Sequence, residues 1–130
     1  MSTEDIHYLQ AETALEINRL LGHEGAMRDP NLLESALVAP QNAAYYEQAD
    51  IVEQTAILIE RVALNHPFVD GDKRTAFILG STFLLINGWE IVYNSEEEEI
   101  KYAQQIEQLV SQKDFGGLIE WIRTHLSTFE

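Results

Sequence analysis

The segment HPFVDGDKR, from His66 to Arg74, gathers within nine positions the residue types that phosphate chemistry requires. If Asp70 caps a helix, the backbone N–H groups of residues 71–73 have no partner inside that helix. Together with the helix dipole, these groups form a site for an anion. Gly71 leaves space for a phosphate to approach, and Arg74 can donate two hydrogen bonds to phosphate oxygens. The spacing therefore predicts a phosphate site at the start of a helix.

Four other side chains of this segment could complete a reaction centre. Asp70 and Asp72 beside an anion site make chemical sense if a divalent cation bridges carboxylate and phosphate. The chain has only eight Lys and Arg residues and a net charge of −14, and two of these basic residues, Lys73 and Arg74, are adjacent in this segment. Lys73 adds positive charge to the site. His66 could accept a proton from an attacking hydroxyl as a neutral imidazole. Each residue alone has a structural explanation, such as a cap for Asp70, but the combination favours nucleotide binding and group transfer.

The composition of the chain narrows the possible classes of protein. The 130 residues, of which 45% are hydrophobic, predict one domain covering residues 1–130 with a substantial core. The charge of −14 argues against nucleic acid as a partner, because phosphate backbones are bound by Lys and Arg. The polar N-terminus lacks signal-peptide features, and the most apolar stretch, Ala76 to Ile86, is too short to span a bilayer. With no cysteine in the chain, these features predict a cytoplasmic protein without a membrane partner.

Apolar periodicity and capping residues predict helices along most of the chain. In the first half of the chain, the predicted elements are a helix from Ala11 to Leu21, a short helix from Pro30 ended by Pro40, a loop from Val38 to Ala49 that contains Tyr45 and Tyr46, and a helix from the Asp50 and Glu53 capping pair to about Asn65. In the second half, they are a helix from Gly71 to about Asn87, an extended piece from Trp89 to Tyr93, a helix that begins at Ser95 and Glu98, and a last helix that is capped by Asp114 and includes Leu126. The helices on either side of the segment 66–74 are apolar on nearly all faces, which is typical of the centre of a bundle. The sequence therefore predicts an all-α, single-domain bundle of about six helices around two central apolar helices.

The segment from His66 to Arg74 resembles the Fic/Doc motif, whose general form is His-x-Phe-x-Asp/Glu-Gly-Asn-Gly-Arg-x-x-Arg. The Doc (death on curing) toxin branch is the closer match, because Lys replaces the second Gly of the motif there, as Lys73 does here. The segments from Gly25 to Gln41 and from Phe83 to Gly88 also resemble Doc-type sequences. Besides Lys73, two positions depart from the general motif, since Asp72 replaces its Asn and Phe77 replaces its distal Arg.

The resemblance implies a Doc-type toxin that transfers phosphate from ATP to a hydroxyl of a target protein, elongation factor Tu in Doc toxins, and so blocks translation. His66 would be the general base and Asp70 would hold Mg2+, while Gly71, Lys73 and Arg74 would line the phosphate site. Two alternatives stay open, a Fic-type transfer of AMP and a catalytically impaired nucleotide-binding module.

The resemblance also bears on regulation. Many Fic proteins carry an inhibitory Ser/Thr-x-x-x-Glu-Gly/Asn helix. The chain has no full match to this motif, because the Ser95 to Glu99 spacing is followed by Ile100. The resemblance therefore implies control by a partner antitoxin protein.

Overall fold

The computed structural model describes residues 6–23, 27–65, 67–68 and 72–128. Six helices account for 73% of these described residues. In chain order, the elements are α1 (Ala11–Leu20), α2 (Pro30–Glu47), α3 (Ile51–Asn65), α4 (Asp72–Ile86), β1 (Trp89–Ile91), α5 (Glu96–Ser111), α6 (Phe115–His125) and β2 (Leu126–Thr128). The prediction of an all-α bundle of about six helices is confirmed.

Short-range hydrogen bonds at the helix starts explain why the boundaries fall where they do. The side chains of Asp29, Ser95 and Asp114 each accept a hydrogen bond from a backbone N–H two or three residues further on. Asp50 and Glu53 exchange two such bonds, with lengths of 2.8 and 3.1 Å. These side chains satisfy N–H groups that lack a partner within the helix, so the sequence sets the start of four of the helices locally.

The two apolar helices, α3 and α4, occupy the centre of the bundle. All six helices contribute side chains to a continuous cluster of buried apolar residues around them. At Gly80, a Cβ would lie 2.6 Å from side-chain atoms of Ile59, so the missing side chain allows α4 to approach α3 closely. Although the core of the bundle is apolar, no helix in the described residues is both long and apolar enough to cross a membrane.

Helix α2 differs from its prediction, because it continues through Pro40 to Glu47. The predicted loop from Val38 to Ala49 is therefore wrong for most of its length, and Tyr45 and Tyr46 are exposed residues of a helix. Proline removes one intrahelical hydrogen bond. The Pro40 ring nevertheless lies on the buried face of α2, beside four buried alanines of the same helix, and burial of this face offsets the lost bond. The helix ends at Gln48, whose φ of 57° places it in the left-handed region.

A two-stranded antiparallel ladder joins the end of α4 to the end of the described chain. Trp89 pairs with Thr128 and Ile91 pairs with Leu126. The predicted extended piece contains β1, but β2 was not predicted, and Leu126 belongs to β2 instead of the last helix. Because β2 pairs with β1, the chain returns to β1 after it has formed α5 and α6.

Candidate active site

The segment that joins the two central helices begins directly after Asn65, the last residue of α3, and leads into α4 at Asp72. Pro67 and Phe68 are buried in this connection. His66, Asp70 and Gly71 lie outside the described residues, so their predicted parts in proton transfer, metal binding and phosphate binding stay predictions.

Asp72 fastens the beginning of α4 to the preceding connection. Its Oδ1 accepts a hydrogen bond of 2.9 Å from the backbone N–H of Phe68, and this bond is buried. Phe68 is fully buried in the core, and Asp72 is only 9% exposed. Because a buried N–H without a partner is costly, this carboxylate has a structural function in addition to any contact with a ligand.

The residues before α2 run alongside the same connection. Met27 and Phe68 form an antiparallel bridge, and the backbone N–H of Arg28 donates a 2.9 Å hydrogen bond to the carbonyl oxygen of Pro67. This contact could not be predicted from the sequence, because neither segment alternates like a strand and about 40 positions separate them. The bridge gives the connection a backbone partner that the two central helices do not supply.

A buried polar contact fixes the first turn of α4 from the side of α1. The Nδ2 of Asn18 lies 3.1 Å from the Oγ1 of Thr75, to which it donates a hydrogen bond. Both residues are almost completely buried. A polar pair inside an apolar bundle is tolerated when its members satisfy each other, and its directionality helps to set the position of α4 relative to α1.

The two cations of the first turn of α4 have different surroundings. The Nζ of Lys73 lies 3.4 Å from the Oε1 of Glu107 and 3.4 Å from the Oγ of Ser111, both on α5. Arg74 is exposed, and in the part of the chain that the structure describes it has no hydrogen bond or ion pair. Arg74 is therefore available to bind an anion at this helix start, whereas Lys73 already has an acidic neighbour.

The only predicted metal ligand among the described residues is Asp72. A carboxylate oxygen is the ligand type that Mg2+ prefers, and Asp72 supplies a group of this type. Residues 6–23, 27–65, 67–68 and 72–128 contain no group of three or more His, Asp or Glu side chains that could hold a metal ion. The residue types at Asp70 and Asp72 fit Mg2+, and their joint use as ligands stays a prediction.

The described residues define an α-helical bundle in which Asp72, Lys73 and Arg74 lie at the start of one of the two central helices. The chain matches the Fic/DOC family over residues 3–84, which include α1 to α4 almost completely and the whole of the segment from His66 to Arg74. The protein therefore belongs to the Fic/DOC family, and the resemblance seen in the motif is confirmed.

A curated relative gives a more specific comparison. The chain is 33% identical over 110 residues to the protein named Toxin Doc of Mycolicibacterium smegmatis (strain ATCC 700084 / mc(2)155), and the match covers 82% of each chain.

Proposed function

We propose that this protein is the toxin of a toxin–antitoxin pair and that it transfers the γ-phosphate of ATP to a hydroxyl of a target protein. The observation that carries the proposal is the complete segment from His66 to Arg74 at the junction of α3 and α4, in a chain that belongs to the Fic/DOC family. The similarity to a protein named Toxin Doc supports the toxin class. By resemblance, the target is elongation factor Tu, and its modification blocks translation.

The proposed reaction forms one bond and breaks one. The oxygen of the target hydroxyl attacks the γ-phosphorus, the bond from this phosphorus to the bridging β–γ oxygen breaks, and ADP leaves. His66 takes the proton of the hydroxyl as the general base. Arg74 binds the phosphate oxygens, together with Gly71 and the backbone N–H groups at the start of α4. The exposure of the Arg74 side chain, with no partner in the described residues, supports its part in the proposal.

Mg2+ belongs to the proposal as the cation that accompanies ATP. Asp70 and Asp72 would hold it, and when bound it would neutralise part of the phosphate charge. The Asp at position 72, where the family motif has Asn, is compatible with the fold. An Asn carbonyl oxygen could accept the same hydrogen bond from Phe68 that the carboxylate accepts. What the Asp adds is a negative charge next to the phosphate site, which makes ATP binding more dependent on a cation.

Transfer of AMP is the second candidate function. Members of the family that transfer AMP carry a second Arg at the end of the motif, and Phe77 occupies this position here. Phe77 is 1% exposed and belongs to the apolar core. This position therefore offers no cation for the nucleotide, which favours phosphate transfer over AMP transfer.

The test of the proposed function is labelling of a bacterial lysate with ATP that carries the label at either the α or the γ position. We expect a labelled protein with γ-labelled ATP only, identified by mass spectrometry. The variant His66→Ala should lose about 10²–10⁴-fold in rate, the typical contribution of a general base. His7→Ala is the matched control, because it removes an exposed histidine side chain elsewhere in the fold.

The other outcomes of this experiment separate the alternatives. Labelling of a protein from the α position would indicate AMP transfer instead of phosphate transfer. ATP binding without any labelled protein would indicate a nucleotide-binding module that has lost its chemistry. Full activity of His66→Ala would exclude this histidine as the base.

Regulation by an antitoxin has its own test. Expression of the protein alone should stop bacterial growth, and co-expression of the small protein encoded next to it should restore growth and yield a stable complex. Normal growth during expression, with no partner recovered by pull-down, would contradict the toxin class.

A further inference from the structure

The contact between Lys73 and α5 places an acidic group next to a cation of the proposed phosphate site. The Oε1 of Glu107 lies 3.4 Å from the Nζ of Lys73, and the Oγ of Ser111 lies at the same distance. Glu107 and Ser111 are four residues apart on α5, so they lie on the same face of this helix. We call these two residues the Lys73 seat.

The contact between Lys73 and the Lys73 seat is weak enough for a ligand to break it. The side chains of Lys73 and Glu107 are 45% and 50% exposed, and an ion pair of this kind contributes little in water. A bound triphosphate carries more negative charge than one carboxylate and competes for the same ammonium group. The carboxylate of Glu107 also repels such a ligand, in a chain whose net charge is already −14.

We infer that Glu107 regulates nucleotide affinity by holding Lys73 against α5. ATP must then draw Lys73 away from the seat before this side chain can contact the phosphates. This inference rests on the proposed function, because it assumes that ATP binds at the start of α4. Glu107 acts through Lys73 and is a positioning residue. Its removal changes the binding of ATP and leaves the chemical step unchanged.

The test compares ATP binding by the protein and its variants, measured by calorimetry with Mg2+ present. Glu107→Gln should bind ATP about two- to fivefold more tightly, as expected from the loss of one exposed ion pair. Glu97→Gln is the matched control, because it removes the same charge from the same helix about 15 Å away and should leave the affinity unchanged. Glu107→Asp retains the charge and should return the affinity toward that of the parent.

A second background tests whether the effect passes through Lys73. In Lys73→Ala, the further change Glu107→Gln should give a much smaller gain in affinity, because no ammonium is released. In transfer assays, Glu107→Gln should lower the KM for ATP and leave kcat unchanged. A merely structural role would shift neither KM nor ATP affinity in this pattern.

The possible failures are distinct. If the parent binds ATP but Glu107→Gln and Glu97→Gln have the same affinity as the parent, competition by the seat is wrong and the proposed function stands. Weaker ATP binding by Glu107→Gln would also refute competition, since it would mean that the seat helps Lys73 to bind ATP. If the parent does not bind ATP at all, the proposed function fails and the inference fails with it.

Discussion

Removal of the Asp72 side chain tests whether its hydrogen bond to Phe68 stabilises the fold. In Asp72→Ala, the backbone N–H of Phe68 loses the acceptor that lies 2.9 Å away and stays buried. In Asp72→Asn, the amide oxygen can accept the same hydrogen bond from Phe68, while the negative charge is lost. The pair of variants therefore separates the hydrogen bond from the charge.

The expected magnitudes follow from the surroundings of the bond. A buried N–H that is left without a partner costs about 1–3 kcal/mol. Loss of an acidic group in the first turn of a helix adds about 0.3–1 kcal/mol. We expect Asp72→Ala to lower the free energy of unfolding by about 2–3 kcal/mol. Asp72→Asn should lower it by less than about 1 kcal/mol, because the loss of a charge-assisted bond is offset by relief from burying a carboxylate.

Urea denaturation followed by circular dichroism measures both changes, without nucleotide or metal. The denaturant dependence should be the same in the three proteins, so that the midpoints report stability directly. If Asp72→Ala unfolds within about 0.5 kcal/mol of the parent, a change typical of an ordinary surface position, the bond to Phe68 does not stabilise α4. Equal losses in both variants would show that the charge matters and the hydrogen bond does not.

Three further predictions concern the phosphate site, the helix contact and alkaline stability. Arg74→Ala should weaken ATP binding strongly in calorimetry with Mg2+, because a charge-assisted contact is lost. The exposed Arg61→Ala should not, and equal affinities would move the phosphate site elsewhere. Gly80→Ala should destabilise the fold by about 1–3 kcal/mol in urea denaturation, because its Cβ meets Ile59; unchanged stability would mean that the two helices separate at no cost. Burial raises the pKa of Tyr8 above its usual value near 10. Tyr8 therefore loses its proton at a higher pH in the folded state than in the unfolded state. Its contribution to the free energy of unfolding is fully present below pH ~10 and is lost as pH rises through the higher folded pKa. Tyr8→Phe should make this alkaline decline shallower, and an identical pH profile would contradict it.

The elements that the sequence predicted well are those whose cause lies within a few residues. The capping side chains of Asp29, Asp50, Ser95 and Asp114 bond to N–H groups in their own first turn, so the starts of these helices could be recognised without the rest of the chain. The continuous apolar character of α3 and α4 likewise predicted their central position.

The features that the sequence could not predict depend on distant partners. Pro40 is tolerated inside α2 because of what its buried face packs against, which local rules for proline do not include. The β2 strand is only three residues long and exists because β1 lies beside it. In the candidate site, residue types indicated the phosphate chemistry, but the bond from Phe68 to Asp72 and the contact of Lys73 with α5 required the fold.

The β1–β2 ladder brings together the two ends of the segment that contains α5 and α6. This segment, which we call the excursion, begins and ends at paired residues, Trp89 to Ile91 and Leu126 to Thr128, and its two helices pack into the common core. The family match, residues 3–84, ends before this excursion begins, and the segment from His66 to Arg74 lies entirely within the matched part. The exposed turn between α5 and α6, residues 112–113, is the part of the excursion where a change in length is most easily tolerated. Glu107, which faces Lys73, belongs to the excursion, so the proposed control of nucleotide affinity would come from a part of the chain that the family match does not cover.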